Sequence, residues 1–323
     1  MSGSVTVVVI GRNEGQRLVA CLASLSAQDV AIIYVDSGST DNSIEEARKV
    51  GATVVDLDTS VPFTAARARN AGVDALREAG LPDYIQFIDG DCSVESGWIS
   101  HARLALDTHP EMGIVTGWRS EIYPTQSIYN DLCEFEWHRP AGDIEACGGD
   151  MMVRSTAFEQ VGGFDPTVIA AEDDEFCVRV RAAGWRAHRL PQSMTRHDAA
   201  MTRFGQWWQR AVRSGHGFAQ VGFLHPEYFV PERRRVWLFG AVLPLLFVLG
   251  LLFSGILTLA VLGAYILSYS RTVKGLTAQG LEPARARHHA VFLSLSKFPN
   301  FLGMMTFYWR RYKGRSMRII EYK

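Results

Sequence analysis

Residues 84–91 read Tyr-Ile-Gln-Phe-Ile-Asp-Gly-Asp and carry the clearest structural signal in the chain. The first five, mostly aromatic or β-branched, predict a short buried strand. Asp89 and Asp91 follow it, and the carboxyl ends of strands in an open α/β sheet are where ligands bind. Two carboxylates facing one point repel each other, and a divalent cation bound to a nucleotide diphosphate would supply the missing positive charge. The alternative is a polar loop that carries two acids by chance.

Segments typical of strands and helices alternate through the first hundred residues. In order they are strand Val5–Ile10, helix Arg17–Ala27, strand Ile32–Val35, helix Ser43–Val50, strand Thr53–Val55, helix Arg67–Ala79 and strand Tyr84–Ile88. This alternation predicts an α/β fold with a doubly wound, mostly parallel sheet. Neither the Gly-x-Gly-x-x-Gly fingerprint nor a Gly-x-x-x-x-Gly-Lys phosphate loop follows the first strand.

The net charge of −1 hides an uneven distribution along the 323 residues. Residues 1–235 carry 22 Lys or Arg and 32 Asp or Glu, whereas residues 270–323 carry 11 basic and only two acidic residues. Val236–Tyr269 contains no charged residue. We therefore predict a soluble domain over residues 1–235, a transmembrane segment over 236–270 and a basic cytoplasmic or interfacial tail over 271–323. Nucleic acid is not an expected partner, because the basic residues of the tail flank apolar runs.

The apolar segment is longer than the roughly 20 residues that one span requires. Arginines 233–235 precede it and Arg271 and Lys274 follow it, which favours a helical hairpin that returns to the cytoplasm. A single long tilted span is the alternative. Residues 290–309 are apolar but interrupted, with Arg310 and Arg311 behind them, and predict an amphipathic interfacial helix.

The five cysteines form no Cys-x-x-Cys pair and no spacing typical of a metal site. This pattern fits a reducing compartment, with the cysteines as packing residues. The first apolar run, Val5–Ile10, has strand length and lacks the charged region that begins a signal peptide. We therefore expect the bulk of the protein to stay in the cytoplasm.

Five motifs in one order make the chain similar to a known family between about Val5 and Gly215. They are Gly11-Arg12-Asn13-Glu14, Asp36-Ser37-Gly38-Ser39-Thr40-Asp41, Ala68-Arg69-Asn70-Ala71-Gly72, Phe87-Ile88-Asp89-Gly90-Asp91 and Glu172-Asp173. In these motifs the chain resembles the family 2 glycosyltransferases, which are inverting enzymes that use nucleotide-sugar donors on a GT-A fold. The resemblance implies that fold and a catalytic role for the domain over residues 1–235; the C-terminal membrane helices are predicted from the apolar segment over 236–270.

The resemblance also implies roles for particular residues. Asp91, with Asp89 and His197, would hold Mg²⁺ or Mn²⁺, although a lone histidine is more often structural. Asp173 is expected to be the catalytic base, in preference to Asp174; favourable placement of acids at a helix N-terminus is the alternative reading.

Further positions fall on the nucleotide and acceptor sides of the family's site. The residues expected to bind the nucleotide or its phosphates are Asn13, Glu14, Asp36, Arg69, Asp89, Arg210 and Arg213. The residues expected on the acceptor side are Asp150, Glu172 and Trp208. Asp36 reads equally as a turn aspartate, and Trp208 as an interfacial anchor.

We therefore predict a metal-dependent inverting glycosyltransferase at the bacterial inner membrane, with its catalytic domain facing the cytoplasm. It would transfer one sugar to a membrane-associated acceptor, a polyprenyl-diphosphate-linked saccharide, in exopolysaccharide or cell-envelope synthesis. The alternatives are a nucleotidyltransferase acting on sugar phosphates and a non-catalytic scaffold of a polysaccharide complex. The loop Gly11–Gly15 is short and acidic for a nucleotidyltransferase, and a scaffold would not need three intact site acids.

Overall fold

A computed structural model describes residues 2–321 and divides the chain into two compact units. The first unit comprises the residues up to Thr125 together with Cys133–Ala200. The second comprises Gln126–Leu132 and the residues from Met201 onward.

The first unit is built on one nine-stranded sheet. Its strands are β1 (Val5–Gly11), β2 (Ala31–Asp36), β3 (Thr53–Asp56), β4 (Tyr84–Asp89), β5 (Cys92–Val94), β6 (Met112–Glu121), β7 (Gly142–Asp143), β8 (Met151–Arg154) and β9 (Arg186–His197). Their order is β3-β2-β1-β4-β8-β6-β9-β5, and β7 pairs with β9. The strands β1 to β4 are mutually parallel, whereas β8, β5 and β7 add antiparallel pairs. The predicted mostly parallel sheet is confirmed, with its antiparallel part beyond β4.

Helices cover both faces of this sheet. They are α1 (Gln16–Ser26), α2 (Ser43–Lys49), α3 (Ala65–Arg77), α4 (Trp98–Thr108), α6 (Ser155–Val161) and α7 (Glu172–Ala182), while α5 (Ile128–Trp137) is divided between the two units. Val7 and Val9 of β1 pack into one apolar cluster, and Val8 and Ile10 pack into the other. This alternation explains why residues 7–10 of β1 are all apolar.

A glycine sets how closely α3 lies against the sheet. A Cβ added at Gly72 would come within 2.4 Å of Val8 Cγ1, so no larger residue fits without displacing the helix. The first turn of α3 begins at Thr64, whose hydroxyl accepts a hydrogen bond from the Arg67 backbone N–H. Together these contacts fix the position of Arg69 beside the end of β4.

The strand register brings the predicted site residues to one edge of the sheet. Asp36, the last residue of β2, lies opposite Gly11 of β1, and Asp89, the last residue of β4, lies opposite Ile10. The carboxyl ends of β1, β2 and β4 therefore form one continuous edge.

The second unit is helical. Besides the start of α5 it contains α8 (Phe204–Leu224), α9 (Val230–Trp237), a π-helical segment (Leu238–Val242), α10 (Leu243–Phe253), α11 (Gly255–Ala278), α12 (Pro283–Leu295) and α13 (Lys297–Tyr312). The helices α8, α9 and α13 share a small apolar core of Ala219, Val236, Met304 and Phe307.

Two helical segments, Val230–Phe253 and Gly255–Ala278, are long and apolar enough to cross a membrane by length and composition. They are separated by the extended residue Ser254, whose hydroxyl accepts from the Leu257 N–H and begins α11. The Tyr265 hydroxyl donates to the Phe239 carbonyl at 2.6 Å, so the two helices run antiparallel. Much of their apolar surface is exposed, with Phe253 at 81% and Ile256 at 82%. That they cross a membrane stays a prediction.

Residues 290–309 differ from the single helix that we predicted. They belong to two helices, α12 and α13, which meet at Ser296. Pro299 explains the break, because proline lacks an N–H and clashes with the preceding turn in a helix interior but is tolerated in a first turn. An interfacial location for this region stays a prediction.

Candidate active site

Asp36 organises the loop that follows β2. Its carboxylate is fully buried and accepts hydrogen bonds from the Tyr34 hydroxyl at 2.9 Å and from the backbone N–H groups of Gly38 and Ser39 at 3.0 and 2.7 Å. Burial and the neighbouring carboxylate raise the pKa of Tyr34, so its hydroxyl keeps the proton that it donates. The Asp36 side chain thus positions this loop, and its predicted direct contact with the nucleotide stays a prediction.

Asn13 ties the loop after β1 to the loop that Asp36 organises. Its backbone has a φ of 55°, a left-handed conformation that asparagine tolerates. The side-chain oxygen accepts from the Thr40 N–H at 2.7 Å, and the Asn13 N–H donates to the Ser39 hydroxyl at 2.9 Å. Asn13 is exposed, and the neighbouring Glu14 pairs with Arg17 at 2.7 Å. Both predicted residues therefore lie at the surface of the same edge.

Arg69 joins the end of β4 to the start of α7. Its guanidinium group is 1% exposed and contacts Asp89 at 2.7 Å and Glu172 at 2.8 Å. Burial lowers the pKa of Arg69, but the two carboxylates outweigh it and raise the pKa overall, so the charge is retained. A Cβ at Gly149 would lie 2.1 Å from the Arg69 guanidinium, so glycine is required there for the close approach. Glu172 thus forms a buried ion pair with Arg69, and its predicted contact with an acceptor stays a prediction.

Asp150 supports Asp89 from inside the protein. It is fully buried, and its oxygens accept from the Asp89 N–H at 3.0 Å and the Thr195 hydroxyl at 2.8 Å. Arg119 pairs with it at 2.8 Å and lies 3.9 Å from Asp89. This geometry gives Asp150 a positioning role toward Asp89, and its predicted contact with an acceptor stays a prediction.

Asp91 and His197 form the group best suited to hold a cation. The His197 Nε2 lies 3.0 Å from an Asp91 carboxylate oxygen, and β5 pairing places Cys92 opposite His197. Ligand atoms of Asp91, Cys92 and His197 all lie within 4.8 Å of one another. Burial raises the pKa of Cys92 well above its ordinary value, so its thiol stays protonated. A carboxylate and an imidazole remain; the carboxylate suits Mn²⁺ or Mg²⁺, whereas imidazole is a ligand for transition metals rather than for Mg²⁺. Asp89, also predicted as a metal ligand, pairs with Arg69 at 2.7 Å, and its role as a ligand stays a prediction.

Asp173 has the ionisation behaviour expected of a general base. It lies half-buried in the first turn of α7, after Ala171, whose φ of 57° is unfavourable for alanine. Burial, followed by repulsion from Glu172, raises its pKa to about 7 although Arg69 opposes the shift. The Asp174 N–H donates to it at 3.0 Å. A base with a pKa near the working pH is the most effective.

The remaining predicted residues belong to the second unit. Trp208, Arg210 and Arg213 lie on α8. Trp208 packs against Trp207 and Phe204 in an aromatic group. Their predicted roles toward acceptor and phosphates stay predictions.

Arg119 and Trp137 were not identified from the sequence. The Arg119 guanidinium lies over the Trp137 ring at 5.4 Å, and the Trp137 ring lies 4.7 Å from that of His197. The available signal was weak: Arg119 is a charged residue inside β6, which continues beyond its buried first half to Glu121. The sequence signal that could have identified Arg119 is a charged residue within a strand that continues into the site.

Comparisons with known proteins agree with this geometry. Residues 6–158 match Glycosyl transferase family 2, and residues 137–307 match Glycosyl transferase family group 2. The pre-mycofactocin glycosyltransferase of Mycobacterium tuberculosis is 27% identical over 240 residues, which covers 70% of this chain and 49% of that protein. The chain thus spans about half the length of this curated relative. The N-acetylglucosaminyl-diphospho-decaprenol L-rhamnosyltransferase of the same species is 25% identical over 240 residues, covering 62% of this chain and 78% of that one.

Solved structures share the fold. The mannosyltransferase PcManGT from Pyrobaculum calidifontis, in complex with GDP-Man and Mn²⁺, superposes with a TM-score of 0.62 at 18% identity and covers 96% of this chain and 88% of its own. S. aureus TarS 1-349 in complex with UDP-GlcNAc gives a TM-score of 0.50 at 15% identity, with 98% and 93% covered. Since the match to family group 2 spans more than half of the 323 residues, the chain belongs to glycosyltransferase family 2.

Proposed function

We propose that this protein transfers a single sugar from a nucleotide-sugar donor to an acceptor hydroxyl, with inversion at the anomeric carbon. The observation that carries the proposal is Arg69, which holds Asp89 at the end of β4 and Glu172 at the start of α7. This link places Asp173, a half-buried carboxylate with a pKa of about 7, beside the sheet edge where ligands bind in such folds.

Asp173 acts as the general base. Inversion requires a single displacement, in which the acceptor hydroxyl loses its proton as its oxygen attacks from the face opposite the leaving group. The proton moves to the Asp173 carboxylate, the acceptor oxygen bonds to the anomeric carbon, and the bond from that carbon to the nucleoside diphosphate breaks. Glu172 does not compete for this role, because it is buried and paired with Arg69.

Asp91 and His197 hold a divalent cation, Mg²⁺ or Mn²⁺. When bound, such a cation stabilises the negative charge that develops on the diphosphate leaving group. The carboxylate and imidazole at 3.0 Å support this proposal, as does the Mn²⁺ in the mannosyltransferase structure with the same fold. Asn13 and the loop that Asp36 organises are proposed to contact the nucleoside.

The acceptor is proposed to be a polyprenyl-diphosphate-linked saccharide. Support comes from the relative named as a decaprenol-linked rhamnosyltransferase and from the exposed apolar helices Val230–Phe253 and Gly255–Ala278. The proposed setting is the bacterial inner membrane, with the first unit in the cytoplasm and the product used in exopolysaccharide or cell-envelope synthesis.

The test is a transfer assay on the full chain in detergent. A panel of UDP-, GDP- and TDP-sugars with Mg²⁺ or Mn²⁺ is incubated with lipid extracted from membranes, and the anomeric configuration of the product is read by NMR. Asp91→Ala and Asp173→Asn are compared with Asp174→Asn, a matched change one residue further along the same helix. We expect one active donor, an inverted product, and activity lost on chelation and in the first two variants only.

Other outcomes would reject parts of the proposal. Retention of configuration would exclude the single displacement. Full activity of Asp173→Asn with loss in Asp174→Asn would move the base to Asp174. Release of pyrophosphate from a nucleoside triphosphate would favour a nucleotidyltransferase.

A further inference from the structure

A cavity of about 810 Å³ lies in the second unit, lined by α13 and by the segment that follows it. Three arginines, Arg310, Arg315 and Arg318, line it together with apolar side chains that include Leu302 and Trp309. The Arg310 guanidinium donates to the Arg318 carbonyl at 2.8 Å, which folds the segment back against the helix.

The arginines of this cavity have no carboxylate partner among the residues that the structure describes. Within residues 2–321, none of its three guanidinium groups forms an ion pair with a carboxylate. Burial, and then the charge of Arg318, lower the pKa of Arg310. Guanidinium groups held together in this way repel one another, and a bound phosphate would relieve the repulsion through charge-assisted hydrogen bonds.

The apolar side of the cavity indicates which phosphate compound fits. Leu302 is 49% exposed and Trp309 is 56% exposed, so the cavity offers hydrocarbon surface beside the arginines. A free phosphate ion would pair with the arginines but leave this surface in water. A lipid would cover it with an acyl chain, a contact favoured in proportion to the apolar area buried. Exposed tryptophan is also typical of residues at a membrane surface.

We propose that this cavity binds the phosphate head group of an anionic membrane phospholipid, with an acyl chain lying along Leu302 and Trp309. The site is separate from the transfer reaction and does not depend on the function proposed above. Arg315 and Arg318 contact the phosphate, and Arg310 fixes the segment that carries them.

The test measures lipid retained by the full-length protein. The chain is purified in a non-ionic detergent, phosphatidylglycerol is titrated against a phosphatidylcholine background, and bound lipid is counted by native mass spectrometry. The variant Arg315→Gln/Arg318→Gln is compared with Arg311→Gln/Lys313→Gln. This control removes the same charge from interleaved positions, where Arg311 lies over the Phe223 ring at 3.8 Å and Lys313 lies over Trp309 at 4.9 Å.

We expect selective retention of phosphatidylglycerol, weakened about 30-fold in the cavity variant, since each basic residue near an anionic head group contributes about 1 kcal/mol and tenfold corresponds to about 1.4 kcal/mol. The control should change the affinity by less than about threefold. Leu302→Ser should weaken phosphatidylglycerol binding without changing the affinity for inorganic phosphate. Thermal unfolding of every variant verifies that each is folded.

Three results would overturn the proposal. Equal losses in the two double variants would mean diffuse attraction to the basic segment. Displacement of the lipid by inorganic phosphate at similar concentration would mean a site for the free ion. Retention of phosphatidylcholine equal to that of phosphatidylglycerol would mean that no anionic head group is recognised.

Discussion

The ionisation of Asp173 predicts how the transfer rate depends on pH. Only the carboxylate form accepts the proton, so with a pKa of about 7 the value of kcat/KM should rise with pH and reach half its maximum near pH 7. Below that point each unit of pH lowers the base form about tenfold, so activity at pH 5 should be about one hundredth of the plateau.

Glu172→Gln tests the physical origin of this raised pKa. Repulsion from Glu172 is the second cause of the shift after burial, and Arg69 opposes it. Glutamine keeps an oxygen that can accept from Arg69 but removes the negative charge. The pH at which kcat/KM reaches half its maximum should therefore fall, by on the order of one unit for the removal of a like charge. Arg69→Met should move it to higher pH.

The assay is kcat/KM over pH 5 to 9 with saturating cation in a constant-ionic-strength buffer. A saturating concentration ensures that a change in cation occupancy with pH does not contribute to the profile. Arg77→Met is the control, since Arg77 pairs with Asp74 and Glu159 on the surface. If the pH at half-maximal kcat/KM is unchanged in Glu172→Gln, or if it moves with the cation concentration, it does not report the ionisation of Asp173.

Three further predictions concern stability and the cation. Arg69→Met leaves the buried Glu172 without its partner and should destabilise the first unit by about 3–5 kcal/mol, or about 6–20 °C in Tm. The surface variant Arg77→Met should cost less than about 1 kcal/mol. The double variant Arg69→Met/Glu172→Gln should recover part of the lost stability, and strictly additive losses would contradict the buried pair. His197→Ala should raise the Mn²⁺ concentration that gives half-maximal activity at least about tenfold, whereas His188→Ala should leave it unchanged. Equal effects of the two changes would mean that His197 is not a ligand of the cation. Above pH 7, Asp173→Asn should unfold at a higher temperature than wild type. The pKa of Asp173 is raised in the folded state, so its ionisation lowers the stability of wild type as pH rises from about 4 to 7. A difference in Tm between the two proteins that does not change with pH would contradict this.

The sequence predicted the parallel half of the sheet because its signals are local. Continuous apolar runs such as Val5–Ile10 and Tyr84–Ile88 have one structural solution when both faces are covered, and the short loops between them carry the polar ligands. The strands beyond β4 were not all predicted. Three of them, β5, β7 and β8, are two to four residues long and form by pairing with distant strands. No local pattern encodes such pairing.

In the candidate site too, some features were predicted from local sequence and others depend on distant contacts. The sequence identified residues that the fold brings together, including Asp89, Arg69 and Glu172, but it could not distinguish residues that face a ligand from residues that hold others in place. Asp150 and Asp36 read as ligand contacts, yet both are fully buried and surrounded by protein donors. That distinction depends on burial and on partners far apart in the chain.

The charge balance of the site explains why so many side chains hold others in place. Asp89 ends β4 and Asp91 follows it two residues later, and a nucleotide diphosphate would bring further negative charge to the same edge. Arg69 offsets Asp89, which leaves Asp91 with His197 as the pair able to hold a cation. If Asp89 were not neutralised in this way, its charge would add to the repulsion on both the diphosphate and Asp173. Arg69 thus keeps the cation site and the base electrostatically distinct, so that the pKa of Asp173 stays near 7 rather than rising beyond the range in which it can accept a proton.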